Sequence, residues 1–119
     1  MTDRVRFETG LAAEEIAART YEGLGAQRIA ERVRTDAGEI DLILKMADTL
    51  IFVEVKARRS LDAAAQSLGS AQRSRIVIAA QVWIDQQGLD PLAPCRFDAA
   101  LVDGQGRVEI VENAFGDGF

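Results

Sequence analysis

The chain has 119 residues, 48% apolar and 28% charged, a composition that fits one globular domain over 1–119 and is too short for two. It holds no histidine and one cysteine, Cys95, which excludes Ser-His-Asp and Cys-His catalysis, an intramolecular disulfide and a cysteine-based zinc site. A net charge of −5 and a pI near 4.7 argue against a protein that coats nucleic acid, because such binding needs many Lys/Arg–phosphate contacts.

Met1-Thr2-Asp3-Arg4 lacks the apolar stretch of a signal peptide, and no run of about 18 apolar residues reads as a membrane span, so the expectation is a soluble cytoplasmic protein. Gly10 to Gly25 predicts a helix that stops at Gly25. Ala13, Ala17, Thr20 and Leu24 form its inner stripe, with Glu14, Ala18 and Tyr21 beside it, while Glu15, Arg19 and Glu22 face solvent. Gln27 to Arg34 reads as a first strand, followed by a turn at Asp36-Ala37-Gly38. Glu39 to Lys45 and Leu50 to Ala57 are rich in Ile, Leu, Val and Phe and read as a strand hairpin around Met46-Ala47-Asp48-Thr49.

Arg58 to Ser70 shows no period and reads as a loop with some helical character. Ala71 to Gln87 predicts a second helix, burying Ile76, Ala79, Ala80, Trp83 and Ile84 and ended by Gly88. Cys95 reads as a small packed residue. Arg96 to Val102 and Arg107 to Val111 read as closing strands, and 113–119 as a frayed tail. The resulting order is α-β-β-β-α-β-β: a mixed sheet with helices on its faces, the second helix crossing between two parallel strands.

The middle strands carry charges within apolar runs: Gly38-Glu39-Ile40-Asp41-Leu42-Ile43 and Phe52-Val53-Glu54-Val55-Lys56. Burying such groups is costly unless they are paired or bind a metal. Alternation puts Ile40, Leu42 and Leu44 on one face and Glu39, Asp41 and Ile43 on the other. Phe52, Glu54 and Lys56 likewise share a face. A hairpin tip at Ala47-Asp48 sets Asp41 opposite Glu54 and Glu39 opposite Lys56, with Cβ atoms about 4.5–5.5 Å apart. Two carboxylates so close repel, and a divalent cation between them removes the penalty. Lys56 would then supply positive charge to a hydrolysis performed by cation-activated water. Spacing alone fits equally a cross-strand network in which Lys56 and nearby arginines neutralise Glu39 and the other acids.

These residues resemble the PD-(D/E)xK nuclease superfamily. Asp41 matches its first acid, with Glu39-Ile40 where a proline often precedes, and Glu54-Val55-Lys56 matches the E-x-K element. Within it the chain looks most like the bacterial UPF0102 family, related to archaeal Holliday junction resolvases. The similarity runs through Gly10, Ala13-Glu14-Glu15-Ile16-Ala17-Ala18, Gly38 to Ile43, Phe52 to Arg58 and Arg96-Phe97-Asp98. It implies a restriction-endonuclease-like αβββαβ core, a metal set of Glu14, Asp41 and Glu54, and Lys56 as the catalytic lysine. Two positions depart from the family's habit: Gln72 stands where lysine is usual, and Arg32 where asparagine is usual.

The expected activity is a Mg²⁺-dependent endonuclease, with Mn²⁺ as substitute, acting on branched or structured DNA, with a homodimer serving a symmetric junction. Arg34, Arg58, Arg59, Gln72, Arg73 and Arg75 are the candidate DNA contacts, and Glu39 supports the metal site from behind. Asp98 is expected to close the sheet by an arginine salt bridge rather than to bind metal. The competing reading is a non-catalytic nuclease-fold module that binds nucleic acid or a protein partner.

Overall fold

A computed structural model describes residues 3–115, with side chains for 10–69 and 73–115. Helix α1 (Asp3–Gly23) leads into strands β1 (Gln27–Thr35), β2 (Gly38–Met46) and β3 (Thr49–Ala57). A short helix α2 (Leu61–Gln66) and a long helix α3 (Ser70–Gln86) follow, then β4 (Cys95–Val102) and β5 (Val108–Val111). The five strands form one sheet in the order β1-β2-β3-β4-β5, antiparallel throughout except for the parallel pair β3–β4. The parallel pair requires a long crossover, which α2 and α3 supply. The architecture is the mixed sheet with flanking helices that the pattern predicted, compatible with a restriction-endonuclease-like core.

Each face of the sheet is covered by a different helix. Ala17, Ala18 and Tyr21 of α1 pack on Leu42, Leu44, Ile51, Val53 and Ala100. Small residues on α1 let the helix lie close to the sheet. On the other face Ile76, Ala79, Ala80, Trp83 and Ile84 of α3 pack on Ile43, Phe52, Ala99 and Leu101. The Phe52 ring meets Trp83 edge-on at 5.9 Å and stacks on Phe97 at 5.6 Å, so Trp83 is core packing.

Both long helices end in the same way. The amides of Gly25 and Ala26 return to Glu22 and Tyr21, and those of Gly88 and Leu89 return to Asp85 and Ile84. This double closure needs a left-handed residue, supplied by Gly25 (φ 100°) and Gly88 (φ 69°). It also corrects the expected α1 stripe. Leu24 lies beyond the last helical turn and is 62% exposed, while Tyr21 takes the buried position.

The helical character expected after β3 is α2, where Ser60 caps the helix by accepting from the Ala63 amide and three alanines carry the turn. Two further expectations change. Cys95 is exposed rather than packed, although partial shielding pushes its thiol pKa up. Ile40 joins Ile43 and Ile76 on the α3 side instead of Leu42 and Leu44, so the strict alternation of β2 breaks at Asp41. The tail expected to fray lies partly outside the described residues; within them Phe115 is buried against the α3-side core.

Candidate functional site

The hairpin register is the one the turn predicted. The Cα pairs run from Met46–Thr49 to Leu42–Val53, and the next step would set Asp41 against Glu54. The ladder stops one residue short because Asp41 takes it over: its Oδ2 accepts the Val55 amide at 2.8 Å. A side chain replaces a backbone acceptor, which holds the carboxylate against β3. The expected Glu39–Lys56 pair is absent from the described ion pairs. Lys56 turns instead to Glu54 on its own strand, Nζ to Oε1 at 3.1 Å, with both side chains largely covered (12% and 20% exposed). Glu39 is well exposed and pairs with Arg34 at 3.2 Å.

Glu14 reaches the same region from α1. Its side chain is 18% exposed, and its Oε1 is buried with no hydrogen-bond partner. Arg32 Nη1 stands 3.5 Å from that oxygen, near enough for an ion pair but too far for a well-formed hydrogen bond. Burial pushes the Glu14 carboxyl above its ordinary range, with Arg32 opposing.

Within this acid cluster the strongest electrostatic signal is on Asp41, whose pKa is raised from 3.8 to about 7. Loss of water is the main cause, followed by the charge of Glu54; the Val55 hydrogen bond pulls the other way, Glu14 adds to the rise and Lys56 opposes it. Glu54 has Lys56 beside it and Glu14 has Arg32. Asp41, between them, has only an amide, so the uncompensated charge of the cluster falls on it.

Two openings give access to Asp41. One of about 270 Å³ lies on the α3 side, lined by Gly38, Glu39, Asp41, Glu54, Arg75 and Ile76. The other, about 200 Å³, lies under α1 and is lined by Gly10, Leu11, Glu14, Arg32, Arg34, Glu39 and Asp41. Asp41 and Glu39 stand on the ridge between them. The structure therefore brings Arg34 and Arg75 to the acids, whereas Arg58 and Arg59 line a separate groove of about 400 Å³ with Ile16 and Gly104. Arg73 is exposed on α3. The Gln72 side chain lies outside the described residues.

The donor set is carboxylate oxygen without histidine or thiol, the chemistry a hard cation prefers. A buried, unpartnered Glu14 oxygen and a desolvated Asp41 are the groups such a cation would relieve. As the side chains stand, no three acids among the described residues come together as one cation-holding group.

The chain matches the model of the uncharacterised protein family UPF0102 over residues 13–102. It belongs to that family. A UPF0102 protein of Ruegeria pomeroyi is 49% identical over 92% of this chain and 89% of its own length. One from Cereibacter sphaeroides is 46% identical over 97% and 98%, and one from Azorhizobium caulinodans is 49% identical over 89% and 81%. Nothing in these UPF0102 names states a reaction. The nuclease-superfamily resemblance is consistent with this membership.

Two features of this UPF0102 member escaped the sequence reading. Asp98 is fully buried on β4 and, as expected, is bridged by an arginine, with Arg96 donating to both its oxygens at 2.9 Å. The unforeseen partners are the Tyr21 hydroxyl at 2.8 Å and the Asn113 amide at 2.9 Å. Their signal lay in two lone polar groups, one on the apolar face of α1 and one in an apolar strand, each needing a partner. The second is Arg28, which is taken up by Glu15, Glu22 and Glu31.

Proposed function

We propose that this UPF0102 protein is a divalent-cation-dependent endonuclease that hydrolyses phosphodiesters in branched or structured DNA. The observation that carries the reading is Asp41: a desolvated carboxylate beside Glu54, facing an open cleft with arginine on its wall. When bound, Mg²⁺, or Mn²⁺ in its place, would supply Lewis acidity and orientation to a phosphate oxygen. Asp41 and Glu54 are the oxygen donors, with Glu14 joining from α1. Lys56 keeps its ammonium beside Glu54, where it stabilises the negative charge that grows on the attacked phosphate. Arg75 positions the strand from the α3 side, and Glu39 holds Arg34 at the rim. A symmetric junction requires two strands to be cut, which favours action as a homodimer.

The test incubates purified protein with Mg²⁺ or Mn²⁺ and a branched DNA. Asp41→Ala should lower cleavage at least a hundredfold, and equal cleavage by both proteins would sink the proposal. A second reading, a non-catalytic module binding nucleic acid or a protein, draws support from the acidic balance and from the lack of a three-acid cation-holding group among the described residues. It expects DNA binding that survives Glu14→Gln, Asp41→Asn and Glu54→Gln without any cation requirement.

A further inference from the structure

Arg32 combines three features that core packing does not require. It sits in the middle of β1 with φ 46°, a left-handed backbone that a long side chain adopts only at a cost. In the β1–β2 register, Glu31 pairs with Leu42 and Val33 with Ile40, so the residue across from Asp41 is Arg32. Its side chain is 53% exposed and lines the cleft under α1, and among the described residues its guanidinium is the cation that pairs with the orphaned Glu14 oxygen.

The 3.5 Å contact is loose. A pair built for stability would close to about 2.8 Å with the guanidinium in bidentate contact. Arg28, earlier on β1, shows that closer geometry with Glu15. Arg32 instead neutralises Glu14 without satisfying it. Strain held at the position facing Asp41 is the kind that persists where function selects it.

We propose that Arg32 is a displaceable counter-ion: it occupies the cation's place at Glu14, and when a divalent cation takes Glu14 its guanidinium is released into the cleft to hold a DNA phosphate. The inference rests on the cation-dependent reading above. It gives Arg32 a positioning role in two binding events, with opposite consequences for each. Loss of its charge frees Glu14 for the cation but removes a phosphate contact.

The test compares wild type with Arg32→Asn, Arg32→Lys and Arg34→Gln. Asparagine tolerates the left-handed backbone and is neutral, so the backbone is kept while the guanidinium and its charge are lost. Mn²⁺ affinity is read by calorimetry, and affinity for a branched DNA by anisotropy in Ca²⁺ across a salt series. Arg32→Asn should bind Mn²⁺ about fivefold more tightly. It should bind DNA several-fold more weakly, with a salt slope smaller by about one. Arg32→Lys should stay near wild type on both measures. Arg34→Gln, which removes a charge from the same cleft wall, should change Mn²⁺ affinity less than about twofold, since its partner is the exposed Glu39. Unchanged or weaker Mn²⁺ binding by Arg32→Asn overturns the inference alone, as does an equal gain in Arg34→Gln. Absence of Mn²⁺ binding in wild type overturns the cation-dependent reading and the inference with it.

Discussion

Asp41 makes the proposed site costly to the cation-free fold. Its pKa rises from 3.8 to about 7 on folding, so between those values the folded state holds a proton that the unfolded chain has released. Where the folded state binds more protons, stability falls as pH rises, and the penalty is complete above about pH 7. Each pKa unit corresponds to about 1.4 kcal/mol, and allowing for the open cleft we expect a net cost of about 2 kcal/mol. Asp41→Asn keeps an acceptor for the Val55 amide and removes the charge. In chelator at pH 8, urea unfolding should show Asp41→Asn more stable than wild type by about that amount. The difference should vanish near pH 4, and added Mg²⁺ should stabilise wild type at pH 8 but not the variant. A destabilised Asp41→Asn protein at pH 8 would mean that Asp41 is structural.

At the scale of elements, the junction of α1 with β1 keeps the site's two halves together. Arg28 reaches two carboxylates on α1, Glu15 and Glu22, and one on its own strand, Glu31. Bonds from Arg28 and Arg19 hold the Glu15 carboxyl down to about 2. Arg28→Ala leaves three acids facing one another, so the melting temperature should drop by several degrees in low salt and by much less in 1 M NaCl, where such repulsion is screened. A salt-independent loss would assign the role of Arg28 to packing of its stem.

Legibility in the sequence follows the range of the interactions. The strands, the long helices and the acid register were readable because alternation, glycine stops and a two-residue turn are local signals. Three features carried no local signal. Tyr21 meets Asp98 across 77 residues of sequence. Arg28 is claimed by a helix that composition shows only as solvent-facing. Arg32 adopts a backbone that its residue type disfavours. Ile40 was misplaced because strict alternation presumes an unbroken ladder, and Asp41 breaks the ladder with its own side chain.

For the whole molecule, a net charge of −5 means that the proposed DNA substrate would have to be held by a local path rather than by the overall field. Two arginine groups compete for that path. Arg75 shares a cleft wall with Asp41 and Glu54, whereas Arg58 and Arg59 flank a groove that has no lining residue in common with either acid cleft. Arg58 also donates to the Ala57 carbonyl at 2.8 Å, which folds its side chain back on β3. A phosphate that reaches Asp41 from the α3 side therefore passes Arg75. Anisotropy titrations of a branched DNA in Ca²⁺, from 50 to 200 mM salt, separate the two groups. Arg75→Ala should weaken binding several-fold and lower the log–log salt slope by about one. The double variant Arg58→Ala/Arg59→Ala removes twice the charge and should nonetheless cost less affinity. The reverse ranking would place the DNA along the α1–β4 groove, away from Asp41, and would favour the non-catalytic module over the nuclease.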